Sequence, residues 1–259
     1  MKNNLIIIKV GGGILNDNRL FKNFLENFSK IKETKILIHG GGIIASNYMT
    51  RLGIPPKLIN GRRITDEKTL DVVIMSYAGL INKKIISVLQ KFKCKSLGLS
   101  GVDCNLIRAK RREVKEIDFG FVGDIQEINT DFIEELIKLN ITPVICSLSH
   151  DGNGQILNTN ADTIASKIAA DLSKKYDVTL KYCLETDGVL TDKYNPKSLK
   201  KTINFKEFKV LVKQNIITDG MIPKIENCFI AMKKGVKNIF IGNHNIIKNE
   251  NDCTKLTIE

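Results

Sequence analysis

Lys9 stands inside an otherwise apolar run, LIIIKV at 5–10, and three glycines, 11–13, follow at once. A cation within a strand that reads as buried costs several kcal/mol unless it finds a partner or a solvated end, so the residue is either at the strand's exit or kept for chemistry. Two more glycine-bearing turns stand between strand-like and helix-like runs, IHGGGIIA at 38–45 and ITDGMIPKI at 217–225. Glycine lets main-chain N–H groups approach an oxyanion closely, and the helix that follows adds a favourable dipole. The implied ligand is a phosphate. Lys224 falls in the first turn after the third of these turns, where Pro223 is well suited. Two ammonium groups, two glycine loops and an aspartate such as Asp162 to orient them would form a cage for a transferring phosphoryl group, whose catalysis is mostly positioning and charge neutralisation. For most lysines a solvated surface cation is the ordinary outcome; the apolar context of Lys9 sets it apart.

Polar side chains gather elsewhere too. In ILNTNADTIA at 156–165, Asn158 and Asn160 face the same way if the segment is extended, although capping of the next helix by Asn160 or Asp162 explains the pattern equally well. NGRRIT at 60–65 offers Arg62 and Arg63, and an arginine fork suits a carboxylate. There is no G-x-x-x-x-G-K-[ST], which excludes the P-loop class. GGGIIA at 40–45 satisfies G-x-G-x-x-[GA], but no strand ending in an acid follows about 20 residues on to hold a ribose, so a nicotinamide enzyme is an outside reading.

The elements that must carry these groups alternate. Strand-like runs at 5–10, 35–39, 96–99, 142–147, 179–184 and 238–241 are separated by helical patterns at 18–31, 43–52, 65–92, 130–139, 161–175, 205–214 and 222–234. Such alternation predicts a parallel α/β sheet, in which all strand-to-helix turns open on one edge. Thr65, Asp66 and Glu67 suit the start of the longest helix. Short alternating runs between 104 and 128 predict hairpins beside the main sheet.

The chain has 259 residues, 42% of them hydrophobic, and a formal net charge of +12 from 40 Lys and Arg against 28 Asp and Glu. The cations are scattered, with short clusters such as 108–112, so the charge reads as biased residue usage and not as a nucleic-acid footprint. Six cysteines without C-x-x-C or histidine at ligand spacing argue against zinc and for buried free thiols in a reducing cytosol. No signal peptide is expected, nor any segment approaching bilayer-spanning length.

Taken in order, IIIKVGGGIL, LIHGGG, NGRRIT, LGLSGVDCNLI, GFVGDI, PVICSL, LNTNADTIA, DGVL and ITDGMIPKI resemble the amino-acid kinase family over nearly the whole chain, most closely its members that act on N-acetylglutamate. NADT and DGM-x-x-K, at this spacing after a lysine-bearing first strand, are the specific parts. The resemblance implies an α/β fold, an open three-layer αβα sandwich with a mainly parallel central sheet. Residues 1–177 would bind the acyl amino acid and dimerise, and residues 178–259 would bind nucleotide. By position, Lys9 and Lys224 resemble the lysines that stabilise the transferring phosphoryl group, Asp162 the acid that holds them, and Gly12 and Gly41 main-chain donors. Gly41, Gly42, Arg63 and Asn158 match the acyl-glutamate site. Glu185, Thr186, Asp187, Gly188, Val189 and Leu190, with Ile216, Ile217 and Thr218, match the ATP site. Two departures stand out: Glu185 where Asp is usual, and Cys104 where Gly is usual after Asp103.

The implied activity is ATP-dependent phosphorylation of the side-chain carboxylate of N-acetyl-L-glutamate, a step of arginine biosynthesis. A carboxylate of reference pKa near ~4.3 is already an ionised nucleophile at neutral pH and needs no general base; His39 would serve only as a local hydrogen-bonding group. Mg²⁺ would be held by ATP oxygens and water, with no protein metal site. N-succinyl-L-glutamate, or aminoadipate on a carrier, are alternative acceptors; a silent regulatory relative and a basic nucleic-acid binder are the rival classes. The first strand at Leu5 leaves no room for an N-terminal ring-forming helix, which implies a cytoplasmic homodimer, paired through the 65–92 helix, without arginine inhibition and without membrane or nucleic-acid partners.

Overall fold

In the computed structural model, which describes every residue except Met1, Asn60, Lys193 and Asp219, the alternating pattern becomes alternating strands and helices. Asn60 of NGRRIT and Asp219 of ITDGM thus lie outside the described residues. From the N-terminus, β1 (Asn3–Val10) leads to α1 (Gly12–Asn16) and α2 (Asn18–Ser29), and β2 (Thr34–His39) leads to α3 (Gly42–Arg51). A short hairpin of β3 (Leu58–Ile59) and β4 (Arg62–Arg63) precedes α4 (Glu67–Ile74), a π-helical turn (Met75–Ile81) and α5 (Asn82–Lys91). Then come β5 (Ser96–Leu99), β6 (Ile107–Arg111), β7 (Gly123–Ile128), α6 (Thr130–Lys138), β8 (Thr142–Cys146), β9 (Leu148–His150), β10 (Ile156–Asn158) and α7 (Ala161–Leu172). The chain ends with β11 (Tyr176–Cys183), β12 (Thr202–Asn204), α8 (Phe205–Lys213), α9 (Met221–Lys233), β13 (Asn238–Gly242) and β14 (Cys253–Thr257).

Local chemistry sets many of these boundaries. Asp17 caps α2 by accepting from the N–H groups of Arg19 and Leu20 at 2.8 Å, and Asn129 and Asn204 cap α6 and α8 in the same way. The cap of α4 is Asp66, which accepts from Thr69 N–H at 2.8 Å. Thr65, the expected hydroxyl cap, is instead bridged to Gly120.

The chain forms two compact units, Met1–Lys35 with Ala165–Glu259, and Ile36–Ile164. A single division at 177/178 does not coincide with this partition, because β1 pairs along its whole length with β11. In the first unit the strand order is β12-β14-β13-β11-β1. β1, β11 and β13 are mutually parallel, while β14 runs antiparallel to β13. Leu5, Ile7, Ile8, Val178, Leu180, Ile239 and Ile241 are fully buried, the mark of strands covered on both faces.

In the second unit β2, β8 and β5 are parallel, in that order. Beside them, β10-β9-β6-β7 form a separate four-stranded sheet, with β6 and β7 as the expected antiparallel hairpin. The helical run Glu67–Lys91 has 25 residues and is apolar enough to cross a bilayer by length and composition, contrary to the sequence expectation. Its residues Leu70, Val72, Val73, Ile81, Ile85 and Leu89 are buried within the protein.

Cys104, which replaces the expected glycine after Asp103, adopts φ 50° and ψ 35°, and Asn105 follows at φ 53°. Left-handed backbone costs a non-glycine residue roughly 1–2 kcal/mol. Cys104 is exposed, so the penalty is not offset by burial. Cys104→Gly is expected to stabilise the protein by about 1 kcal/mol, less the extra freedom glycine gives the unfolded chain; urea denaturation of the two proteins measures the difference.

Candidate active site

In the first unit Tyr182 is a neighbour of both lysines, of Lys9 by strand register and of Lys224 by its ring. Lys9 is the penultimate residue of β1, partly buried, and lies in register with Tyr182 of β11, so the two side chains emerge on the same face. α9 brings Lys224 to the same place: its ammonium sits 5.3 Å from the centroid of the Tyr182 ring, in cation–π range, and the residue is only 8% exposed. Tyr182 is itself fixed by a 2.6 Å hydrogen bond between its hydroxyl and Ser166 Oγ. Beyond Val10 the pairing continues, with Gly11 N–H donating to Cys183 carbonyl oxygen at 2.8 Å. Gly12 then opens α1 at the carboxyl end of β1. The side chain of Glu185 packs directly against Gly13, in the space a Cβ would take, so the first glycine turn accepts a carboxylate next to it only because residue 13 has no side chain.

The segment expected to hold nucleotide follows β11. Glu185 and Thr186 are exposed, Asp187 and Leu190 are partly buried, and Val189 is buried. Asn243 donates its amide to Asp187, and Val189 N–H donates to Thr254 Oγ1 at 2.9 Å. Gly188 has φ +149° and packs against Thr254. Ile216 and Thr218 are accessible, while the side chains of Val189 and Ile217 lie in the core. These two residues can reach a ligand only through their main chains.

In the second unit α3 starts at the second glycine turn, and Gly41 is its cap, φ 164°. Ile81 and Tyr77 from the π-helical turn occupy the space where a Cβ on Gly41 would lie. Arg63, 7% exposed, donates from Nη2 to Gly42 carbonyl oxygen (2.9 Å) and Ser46 Oγ (2.7 Å), and from Nη1 to Met49 Sδ (3.1 Å). Arg62 is exposed. A guanidinium has five N–H donors, so this anchoring leaves donors for an anion. Burial pushes the Tyr77 hydroxyl above its ordinary pKa, opposed by the charge of Arg63; the phenol is neutral and stays a donor.

Asn158 is buried and donates to Thr65 Oγ1 at 3.0 Å. Asn160 caps α7, accepting from Asp162 N–H at 2.9 Å and Thr163 N–H at 3.0 Å. The capping role therefore falls to Asn160 and not to the Asp162 carboxylate, which sits in the first turn. The structure thus groups Lys9, Lys224 and Gly12 near the end of β11 in one unit, and Gly41, Gly42 and Arg63 in the other.

Among the described residues no group of three or more His, Cys, Asp or Glu could hold a metal ion. Burial drives the thiols of Cys146 and Cys183 up to about 12, far from nucleophilic. The basic cluster is neutralised in place: Arg108 pairs with Glu127, Lys110 with Glu113 and Arg112 with Asp124.

Residues 4–243 match the amino acid kinase family. The chain belongs to that family. Its fold is the family's, a large, mainly parallel sheet with helices on both sides. The chain is similar to the acetylglutamate kinase of Phocaeicola vulgatus, 48% identical over 93% of this chain and 94% of that protein, and to that of Bacteroides thetaiotaomicron, 44% identical over 99% of each. Among solved structures, smu.665 from Streptococcus mutans UA159 superposes with a TM-score of 0.82 at 27% identity, covering 98% of this chain and 99% of that one. Carbamate kinase from Giardia lamblia bound to AMP-PNP gives 0.70 at 15% identity over 100% and 99%, which bears on the fold alone.

Four contributors escaped the sequence reading: Tyr182, Tyr77, Ile81 and Ser46. Each is an ordinary core-type or helix-surface residue in sequence, and only strand register or helix packing reveals it.

His39 is fully buried, and desolvation lowers its pKa from 6.5 to about 4. The fold thus favours neutral imidazole, a stabilisation fully present above the unfolded value of 6.5 and lost as pH falls toward 4. A displacement of that size corresponds to about 3 kcal/mol. Between pH 6.5 and 4 the unfolding free energy of the wild type is expected to fall more steeply than that of His39→Asn, as measured by urea titrations at a series of pH values.

Proposed function

We propose that this chain transfers the γ-phosphoryl group of ATP to the side-chain carboxylate of N-acetyl-L-glutamate, forming N-acetyl-L-glutamyl 5-phosphate, a step of arginine biosynthesis. The observation that carries the reading is 44–48% identity to acetylglutamate kinases over 93–99% of the chain. The cluster around Tyr182 supports it. Two ammonium groups at the carboxyl end of β11, beside a glycine turn, match the charge that grows on phosphoryl oxygens during transfer.

In this reading Lys9 and Lys224 neutralise the transferring group, Asp162 orients them, and main-chain N–H groups at Gly12 and Gly41 donate to it. Gly41, Gly42, Arg63 and Asn158 receive the acyl-glutamate, with Arg63 set against its carboxylate. Glu185, Thr186, Asp187, Gly188, Val189 and Leu190, with Ile216, Ile217 and Thr218, line the nucleotide. Residues 1–177 would then serve mainly the acyl amino acid and residues 178–259 mainly ATP. Mg²⁺ would arrive with ATP, held by phosphate oxygens and water. The acceptor carboxylate is ionised at neutral pH, so no general base is assigned. Six free thiols suit a reducing cytoplasm. Met75, 57% exposed on the long helical run, and Leu97, 40% exposed on the edge strand β5, support pairing into a homodimer.

A product assay with MgATP and a panel of acyl-glutamates tests the reading: turnover with N-acetyl-L-glutamate is expected, and turnover with N-succinyl-L-glutamate alone would replace the acceptor. Lys9→Ala and Lys224→Ala should each lower kcat by about 10²–10³-fold, the scale for deleting one preorganised electrostatic donor, with little change in KM. Lys9→Arg should rescue little, since a planar fork does not replace a compact ammonium. Arg63→Ala should raise KM for the acyl-glutamate more than KM for ATP. Near-full turnover in Lys9→Ala would make that lysine a structural cation. Light scattering should give twice the monomer mass.

A further inference from the structure

The second glycine turn is held by a side chain that the phosphoryl-transfer reading leaves idle. His39 ends β2 and is fully buried, immediately before Gly40. Its Nδ1 lies 2.8 Å from the carbonyl oxygen of Gly40. A carbonyl can only accept, so Nδ1 carries the proton and donates. On the other side, Nδ2 of Asn82 lies 3.1 Å from His39 Nε2 and 3.0 Å from the carbonyl oxygen of Val144. The Val144 carbonyl fixes the orientation of the amide, because a flipped Asn82 would set oxygen against oxygen. One amide N–H therefore goes to Val144 and the other to His39, whose Nε2 must be the acceptor. The tautomer is determined at both ends by main-chain carbonyls.

We propose that His39 and Asn82 are positioning residues, a relay from the Val144 carbonyl through both side chains to the Gly40 carbonyl that aims the N–H of Gly41 at the transferring group. The proposal rests on the kinase reading for what Gly41 N–H contacts, but its geometry is independent of any ligand. The Gly40 carbonyl and the Gly41 N–H belong to one planar trans peptide. Holding the oxygen thus holds the N–H, pointing the opposite way.

The neighbouring peptides are secured separately. Ile81 and Tyr77 cover Gly41, and Arg63 takes the Gly42 carbonyl. Each of the three glycines is thereby restrained by a different side chain. A run of glycines would otherwise be the most mobile backbone in the protein.

The π-helical turn fits this task. Tyr77 and Asn82 are five residues apart and would not share a face of a regular α-helix, where neighbours lie three and four apart. Across Met75–Ile81 the helix is wider, and Tyr77, Ile81 and Asn82 all reach the end of β2 and its turn. Helices that carry such turns often do so at functional sites. The oxygen of Asn82 in turn lies where a Cβ on Gly98 of β5 would be, so the edge strand leaves room for the relay.

Two conservative variants separate the halves of the relay. The amide of His39→Asn can still donate to Gly40, whereas His39→Gln reaches toward Asn82 and leaves the Gly40 carbonyl without its donor. At equal folded fraction, His39→Gln is expected to lose roughly 10²-fold in kcat, the scale of an ångström-level misplacement, and His39→Asn at most about a tenth of that loss, with KM for ATP unchanged in both. Equal losses in the two variants, or wild-type kcat in His39→Gln, would overturn the positioning role.

A second readout needs no substrate. In ¹⁵N-labelled protein at neutral pH, one of the three histidines should be a neutral Nδ1–H tautomer, lost as a signal in either His39 variant. The Gly41 amide resonance should move in His39→Gln and Asn82→Ala but little in His39→Asn. An Nε2–H tautomer, or an unmoved Gly41 resonance, would refute the relay. If wild-type protein failed to phosphorylate N-acetyl-L-glutamate while the resonances behaved as expected, the kinase reading would fall and the relay would stand.

Discussion

Eight consecutive in-register pairs between β1 and β11, from Asn3 opposite Tyr176 to Val10 opposite Cys183, decide where Lys9 can be. The register is enforced by burial: Leu5, Ile7, Ile8 and Val10 pack against Val178, Leu180 and their neighbours with essentially no exposure. Each such side chain contributes about 1.5–3 kcal/mol relative to an exposed position. A slip of one residue would exchange the side chains packed on the two covered faces and take Lys9 out of line with Tyr182. The cation is therefore held at the strand's end by the hydrophobic residues before it. Tyr182, brought alongside by the same register, then offers its ring to Lys224.

The second unit solves a different problem by a different means. Its glycine turn has no lysine to place, but it must hold three consecutive flexible residues still. Packing does part of this, through Tyr77 and Ile81, and buried hydrogen bonds do the rest, through His39 and Arg63. Buried polar groups of this kind are stabilising only when every partner is present. The neutral state of His39 is part of that accounting, since a second ring proton would face an amide donor.

Much of this was legible in the sequence, and the limits are instructive. The alternation of apolar and amphipathic runs revealed the parallel strands, and glycine after strand revealed the turns, because both follow from local rules of chain geometry. The pairing of β1 with β11 was not legible, for it joins residues more than 170 apart and no local signal reports register. For the same reason no local signal reports that the first compact unit is discontinuous in sequence. The strands β12, at the sheet's edge, and β14, next to it, were too short and too polar to read. The 65–92 helix was read as uniform, since the extra residue of a π-helical turn leaves no mark in composition. Asn160 and Asp162 could not be told apart as caps until the helix start was fixed at Ala161.

The cysteines show what this folding leaves at the surface. Five of the six thiols are buried and one, Cys104, is exposed, on a left-handed turn beside β6. Reagents that modify thiols would thus meet a strongly graded set, with Cys146 and Cys183 shielded both by access and by their reluctance to ionise. The protein carries, in effect, one natural attachment point for a dye or spin label. It lies in the second unit, on a turn that no residue of the candidate site occupies, so a reporter could be placed on the native sequence without engineering the other five thiols away.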